Sequence, residues 1–269
     1  MLFYGARVGE TNNYLAAHFA QLLDRPARSD HIAQLYDDEA FLAAAAGDFL
    51  ADGLLRGEAA AVIGSPQRWD AIVRRLEADG VDVKRALQRS QLAFFGARPI
   101  VERTLAHGML ERSRFDETLH LIVSLMCRDY PSTRVYNEFG DLLWTQNERL
   151  AALAAERCLA EIETAYPVSF LCAWPLDCLD GRAYDGTLQG LCHAHTHLLP
   201  SRESAWLNDA VTRATNEVLQ PQLAYMLHAL AAKQRNGTMM PQSQAVLLWL
   251  KENMPRTAEK VLARVRAGA

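Results

Sequence analysis

Five short apolar runs, each followed by a segment of helical length, constrain this chain more than any other feature. They are "HIAQLY" from residue 31, "EAAAVIG" from 58, "LAFFG" from 92, "TRVYNEFG" from 133 and "VSFLCAWP" from 168. Runs without polar alternation suit strands that are buried on both faces. Strands alternating with helices predict an α/β fold: a mostly parallel sheet covered by helices on both faces. The intervening segments carry helix punctuation. "DDEAFLAAAAGDFLADGLLRG" opens on a capping Asp and stops at Gly57, and "SPQRWDAIVRRLEADG" has Ser65 at the cap, Pro66 in the first turn and Gly80 past the end. "RPIVERTLAHGML" and "RFDETLHLIVSLMCRDY" read as helices, "DLLWTQNERLAALAAERCLAEIETAY" as one long helix stopped by Pro167, and "YDGTLQGLCHAHTHLLP" as a helix closing at Pro200.

The flanks differ from this pattern. Residues 1–30 read as a helical appendage ending at Pro26 and a linker, residues 31–202 as the α/β domain, and residues 203–269 as an all-helical extension broken by Pro221 and Pro255. Apolar stripes in that tail, such as Leu207, Val211, Ala214 and Val218, call for a partner surface: its own domain or, as the sharper expectation, a second copy in a homodimer. A net charge of -4 gives no electrostatic reason to expect nucleic acid or an anionic membrane as partner. No run approaches the roughly 18 apolar residues of a membrane span, and the start "MLFYGARVGETNNY" lacks the pattern of a signal peptide. Five scattered cysteines, an odd number, fit reduced thiols. The expectation is a cytoplasmic protein.

Ligands of open parallel sheets bind beyond the carboxyl ends of the strands. A phosphate binder needs a glycine-rich turn after the first strand, and here that turn reads "YDDEAF", with carboxylates in its place. A standard phosphate-binding loop is therefore excluded, and "DDE" is explained as a helix cap favoured by the helix dipole. The strand ends instead deliver Gln34, Tyr36 and Asp37, then Gly64 and Ser65, then Phe95, Gly96 and Arg98, then Tyr136, Asn137 and Glu138, then Cys172, Trp174 and Pro175. Aromatic walls with few polar anchors suit a small-molecule pocket, and equally a packed core. Glu138 is the strongest single candidate, since a carboxylate there must be paired, exposed or functional; Arg134 and Arg98 are the cations expected to pair with it.

The order of "HIAQLYDDEAFL", "GLLRGEAAAVIGSP", "RVYNEFGDLLW", "FLCAWP" and "LCHAH" resembles the MEDS sensory domain, over about residues 31–200. The resemblance implies a RecA/KaiC-like core without its phosphate-binding loop, and a sensor of small molecules, hydrocarbon derivatives among them, that is coupled to a signalling partner protein. It places His31, Gln34, Tyr36 and Asp37 on the opening motif, Glu58 on the Gly-Glu before the second strand, Glu138 on the central motif, and Cys192 and His195 on the closing Cys-x-x-His. Asn137, Phe139 and Trp174 stand where the family commonly has glycine, methionine and tyrosine, and larger groups at the edge would narrow a pocket.

Three histidines at alternate positions, His193, His195 and His197, raise the question of a metal. On a strand they would share one face. On the expected helix only His193 and His197 are neighbours, no third ligand follows from the pattern, and the last helical turn favours histidine through the dipole. No metal and no cofactor is therefore expected; His195 is read as facing the pocket. No nucleophile motif is present, and His228 lacks the surroundings of a phospho-accepting histidine. The reading is a non-enzymatic sensor with a ligand pocket at His31, Gln34, Tyr36, Asp37, Glu138, Trp174 and His195. A divergent nucleotide-dependent enzyme and a scaffold with a vestigial pocket are the alternatives.

Overall fold

The computed structural model describes residues 22–184, 186–201, 204–233 and 238–268. The five expected strands form: β1 His31–Leu35, β2 Ala59–Gly64, β3 Leu92–Gly96, β6 Thr133–Asn137 and β7 Val168–Trp174. A sixth, β8 His197–Leu199, joins them in a parallel sheet of order β3-β2-β6-β7-β1-β8. Alternate side chains face opposite layers, as the pleat dictates. Ile32, Ala60, Val62, Leu171 and Ala173 pack under α1 Glu39–Leu55, α2 Pro66–Ala78 and α3 Val83–Gln88. Ala33, Leu35, Ala61, Ile63, Val135 and Phe170 pack on the other side, against α4 Ala97–Thr104, α5 Arg112–Cys127, α6 Phe139–Thr145, α7 Arg149–Ala165 and α8 Thr187–Ala194.

The expected caps are present. Asp38 accepts from the Phe41 N–H and Ser65 from the Arg68 N–H, each opening its helix. From β2 the chain passes through α2 to β3, towards one edge of the sheet; from β6 it passes through α6 and α7 to β7, towards the other. The crevice between the carboxyl ends of β2 and β6 is thus a topological switch point, where such sheets bind ligands.

Three expectations are corrected. The helix expected to run to Pro200 ends at Ala194, and the chain turns into β8, paired with β1 through the Thr196 N–H to the His31 carbonyl, 2.8 Å. The long helix is two: Asn147 adopts a left-handed φ of 63° between α6 and α7, a conformation asparagine tolerates. The segment read as one helix from Arg98 becomes α4 and a small hairpin, β4 Leu105–Ala106 and β5 Met109–Leu110, turned by His107 and Gly108 with positive φ.

The extension forms α9 Ser204–Leu219, α10 Pro221–Lys233, α11 Gln242–Asn253 and α12 Pro255–Ala267. Leu207, Val211, Leu227, Val246, Leu250, Val261 and Leu262 are buried in the same apolar cluster as the sheet. The tail therefore packs on its own domain. The appendage helix lies mostly outside the described residues; residues 22–24 are helical, and Leu22 is buried against the α1 layer. None of the five cysteines is in a disulfide, and no described helix is long and apolar enough to cross a membrane.

Candidate functional site

A cleft of about 830 Å³ opens at the switch point, between the ends of β2, β3 and β6. Its walls are apolar, with Leu42, Ala43, Ile72, Phe94, Ala97 and Leu142; its polar floor is built around Arg68 on α2. The guanidinium is forked onto Glu39 at 2.8 and 2.9 Å, bonds Asp141 and the Tyr36 hydroxyl, and lies 3.5 Å from Glu138. Tyr36 in turn donates to Asp141 at 2.8 Å, and the Arg68 guanidinium stands over its ring. One cation thus holds three carboxylates and a phenol in one arrangement.

Glu138 is 3% exposed and stands at the N-terminal end of α6, directly after β6, without a side-chain bond to the helix. Its Oε2 accepts from the Ser65 N–H at 2.9 Å, and the neighbouring buried Tyr136 hydroxyl also bonds the carboxyl. Both residues line the cleft. The carboxylate reaches this place because β2 ends in glycine: a Cβ on Gly64 would lie 2.6 Å from Oε1. Burial, helped by Asp141 and opposed by Arg68 and the Ser65 N–H, pushes the Glu138 carboxyl up to about 7. Near neutrality the group is divided between proton donor and charged acceptor, a state that a ligand can shift.

A second polar cluster lies under the sheet on the α7 side. His31 Nε2 stands 3.2 Å from Glu156 Oε2 and 3.1 Å from Cys172 Sγ, and His195 Nε2 stands 3.3 Å from the same Glu156 oxygen. The two imidazoles overlap with centroids 4.0 Å apart. All four residues are buried. Trp174 Nε1 donates to Glu156 Oε1 at 3.1 Å, Asn137 Nδ2 to Cys172 Sγ at 2.9 Å, and His195 Nδ1 to the Leu191 carbonyl at 2.9 Å. Burial lowers His31 to about 4, with His195 reinforcing and Glu156 opposing. Burial alone would raise Glu156, but the two imidazoles outweigh it and hold the carboxyl below its ordinary range. Burial and the adjacent Glu156 push the Cys172 thiol well up.

The residues singled out in the sequence are thereby divided. Glu138 lines the cleft, and Tyr36 supports its floor. His31, Trp174 and His195 belong to the cluster under the sheet. Gln34 is bound to the Leu35 and Pro200 carbonyls, which ties β1 to the end of β8, and Asp37 is exposed at the turn. The expected partners of Glu138 are replaced by Arg68: Arg134 is bound to Glu58 at 2.7 Å at the opposite end of the strands. The pairing of His193 with His197 does not form, because the chain leaves the helix between them; His193 is exposed and His197 is on β8. Of the closing Cys-x-x-His, only His195 joins a polar cluster, while Cys192 is buried among apolar groups. His228 is packed against Thr215. Arg68, Asp141 and Glu156 had no sequence signal beyond being charged residues on amphipathic helices, and Glu39, read as part of a cap, also anchors Arg68.

A family model described as the MEDS domain, the methanogen/methylotroph, DcmR sensory domain, matches residues 30–196. The chain belongs to this family. The match spans every described strand except β8, which begins just after it, and it includes both polar clusters. No curated protein matches the chain. The match stops at the residue before β8, the strand that pairs with β1 and leads into the helical tail.

Proposed function

We propose that this protein is a non-enzymatic sensor whose MEDS domain binds a small, uncharged, mostly apolar molecule in the cleft between β2 and β6. The observation that carries the reading is an apolar cleft at the switch point whose lining includes Glu138 and Tyr136, a buried carboxyl and hydroxyl that have each other as partners there. Few polar groups set into an apolar cleft are what orients a small ligand. Their chemistry favours a ligand with one hydrogen-bonding oxygen or nitrogen on a compact apolar body. Three carboxylates against Arg68 disfavour an anion, and the turn after β1 is filled by the Asp38 cap, 2.7 Å from the Phe41 N–H, where a nucleotide phosphate would otherwise sit. These features speak against the divergent KaiC-like nucleotide enzyme.

Helix α6 touches both polar clusters. Asp141 and Leu142 line the cleft, while Gly140 lies against Trp174 and Glu156: a Cβ there would meet the indole at 2.5 Å and Glu156 Oε1 at 2.9 Å. Movement of α6 on ligand binding would press on the cluster that holds His195, from which the chain runs into β8 and the tail. A ligand shifts such an element only through different affinity for its two positions. The output is a homodimer or a signalling partner protein that meets α10, where Leu223, Met226 and Leu230 are exposed along one side.

Native mass spectrometry of the gently purified full-length protein, with Glu138→Gln in parallel, tests the reading. A retained organic mass that Glu138→Gln loses supports it. Saturable binding of ATP with magnesium, unchanged in Glu138→Gln, would replace it with the nucleotide reading.

A further inference from the structure

We propose that His31, Glu156, Cys172 and His195 form a divalent-metal site, filled by zinc, that fastens the MEDS domain to the strand leading into its helical tail. The four potential ligand atoms lie within 4.8 Å of one another. Zinc bonds of about 2.0–2.1 Å to nitrogen or oxygen and about 2.3 Å to sulfur give tetrahedral edges of about 3.3–3.6 Å. Three edges measured here are 3.1, 3.2 and 3.3 Å, so the side chains already converge on a space of that size.

The hydrogen bonding around the ligands is the arrangement a metal needs. A carbonyl can only accept, so the 2.9 Å contact to Leu191 puts a proton on His195 Nδ1 and leaves Nε2 as the nitrogen that faces Glu156. That Nε2 is buried 3.3 Å from a Glu156 oxygen, the same oxygen that faces His31. A proton or a metal ion must sit between this nitrogen and the carboxylate, and zinc can take the place of the proton. Trp174 occupies Oε1 of Glu156 and leaves Oε2 for the metal; Asn137 donates to the sulfur; His31 turns Nε2 inward, with Nδ1 3.8 Å from Glu163, beyond hydrogen-bond reach.

Charge and ligand type agree. One carboxylate, one thiolate and two neutral imidazoles neutralise a divalent ion in a site with no exposure to water. A set of two nitrogens, one sulfur and one oxygen, with four protein ligands and no open position, suits a structural zinc better than magnesium or calcium, which take oxygen. The ligands come from β1, α7, β7 and the residue that ends α8, so the ion ties four segments that are distant in sequence. Metal binding of this kind is linked to folding.

Neither His193 nor His197 is in this set. The site also stands or falls independently of the ligand cleft.

The test is metal analysis of the full-length protein, as purified and after refolding with zinc or cobalt(II). The expected result is about one metal per chain, with a thiolate-to-cobalt charge-transfer band that Cys172→Ser abolishes. His195→Gln is expected to reduce bound metal at least tenfold. Should either variant fail to fold, chelator-treated wild type supplies the readout: its thermal midpoint rises with zinc and not with magnesium. Folded wild-type protein with less than about a tenth of a metal per chain after refolding with excess zinc and cobalt, or variants that hold metal as well as wild type, would overturn the proposal.

Discussion

Replacing Glu138 by glutamine should flatten part of the pH dependence of stability. The carboxyl has an ordinary value of 4.5 and is raised to about 7 in the folded protein, burial being the largest cause. Below pH 4.5 the group is protonated in both folded and unfolded chains and costs nothing. As pH rises the unfolded chain ionises first, so stability falls until the folded group has also ionised, above pH 7. With these values the linkage relation gives a penalty of about 0.8 kcal/mol at pH 5 and about 3.3 kcal/mol at pH 8. Glutamine cannot ionise, so any constant cost of the amide beside Arg68 cancels when the two pH values are compared. Wild type should therefore lose about 2.5 kcal/mol more than Glu138→Gln between pH 5 and pH 8. In a chain of this size that corresponds to roughly 5–10 °C of thermal midpoint. Denaturant unfolding followed by circular dichroism at both pH values measures it. Curves for the two proteins that run parallel within about 0.5 kcal/mol would show that Arg68 and the Ser65 N–H keep Glu138 ionised throughout, and the account of the cleft as a poised proton donor would be wrong.

Other perturbations probe the same structure. Gly64→Ala puts a methyl 2.6 Å from Glu138 Oε1 and should displace the carboxylate, so it should weaken any ligand that Glu138→Gln weakens, as read by calorimetry; unchanged affinity would mean that the carboxylate position is not used. Gly140→Ala drives a methyl into Trp174 and Glu156 and should cost about 1–3 kcal/mol in denaturant unfolding. Arg134→Met leaves Glu58 without its 2.7 Å partner and takes the 3.0 Å donor from the Asp24 carbonyl, for an expected loss of about 3–5 kcal/mol; a loss under about 1 kcal/mol would assign the pair the weight of a surface ion pair. For the homodimer, light scattering of Leu223→Glu/Leu230→Glu should report a monomer if α10 is the contact, whereas truncation after residue 202 would strip buried Leu207 and Val211 from the core and is expected to unfold the domain instead.

The sequence by itself determined the layered α/β fold. Each of the five apolar runs was long enough to identify a doubly buried strand, and Asp38, Ser65, Gly57 and Gly80 marked helix ends through local chemistry that tertiary contacts did not override. It also showed that the turn after β1 is no phosphate cradle, and it picked out Glu138. Tertiary structure alone decided the rest. Strand β8 has only three residues and owes its existence to pairing with β1, a contact over 160 residues away in the chain, so no local period announces it. The break at Asn147 was hidden because the apolar period continues across it. Above all, the two polar clusters are assembled by topology. Arg68 meets Glu138 because β2 and β6 are neighbours in the sheet, and His31 meets Glu156, Cys172 and His195 because β1, α7, β7 and the end of α8 converge on one side of it. Residue types and spacing state which groups can do chemistry; only the order of strands in the sheet states which of them meet.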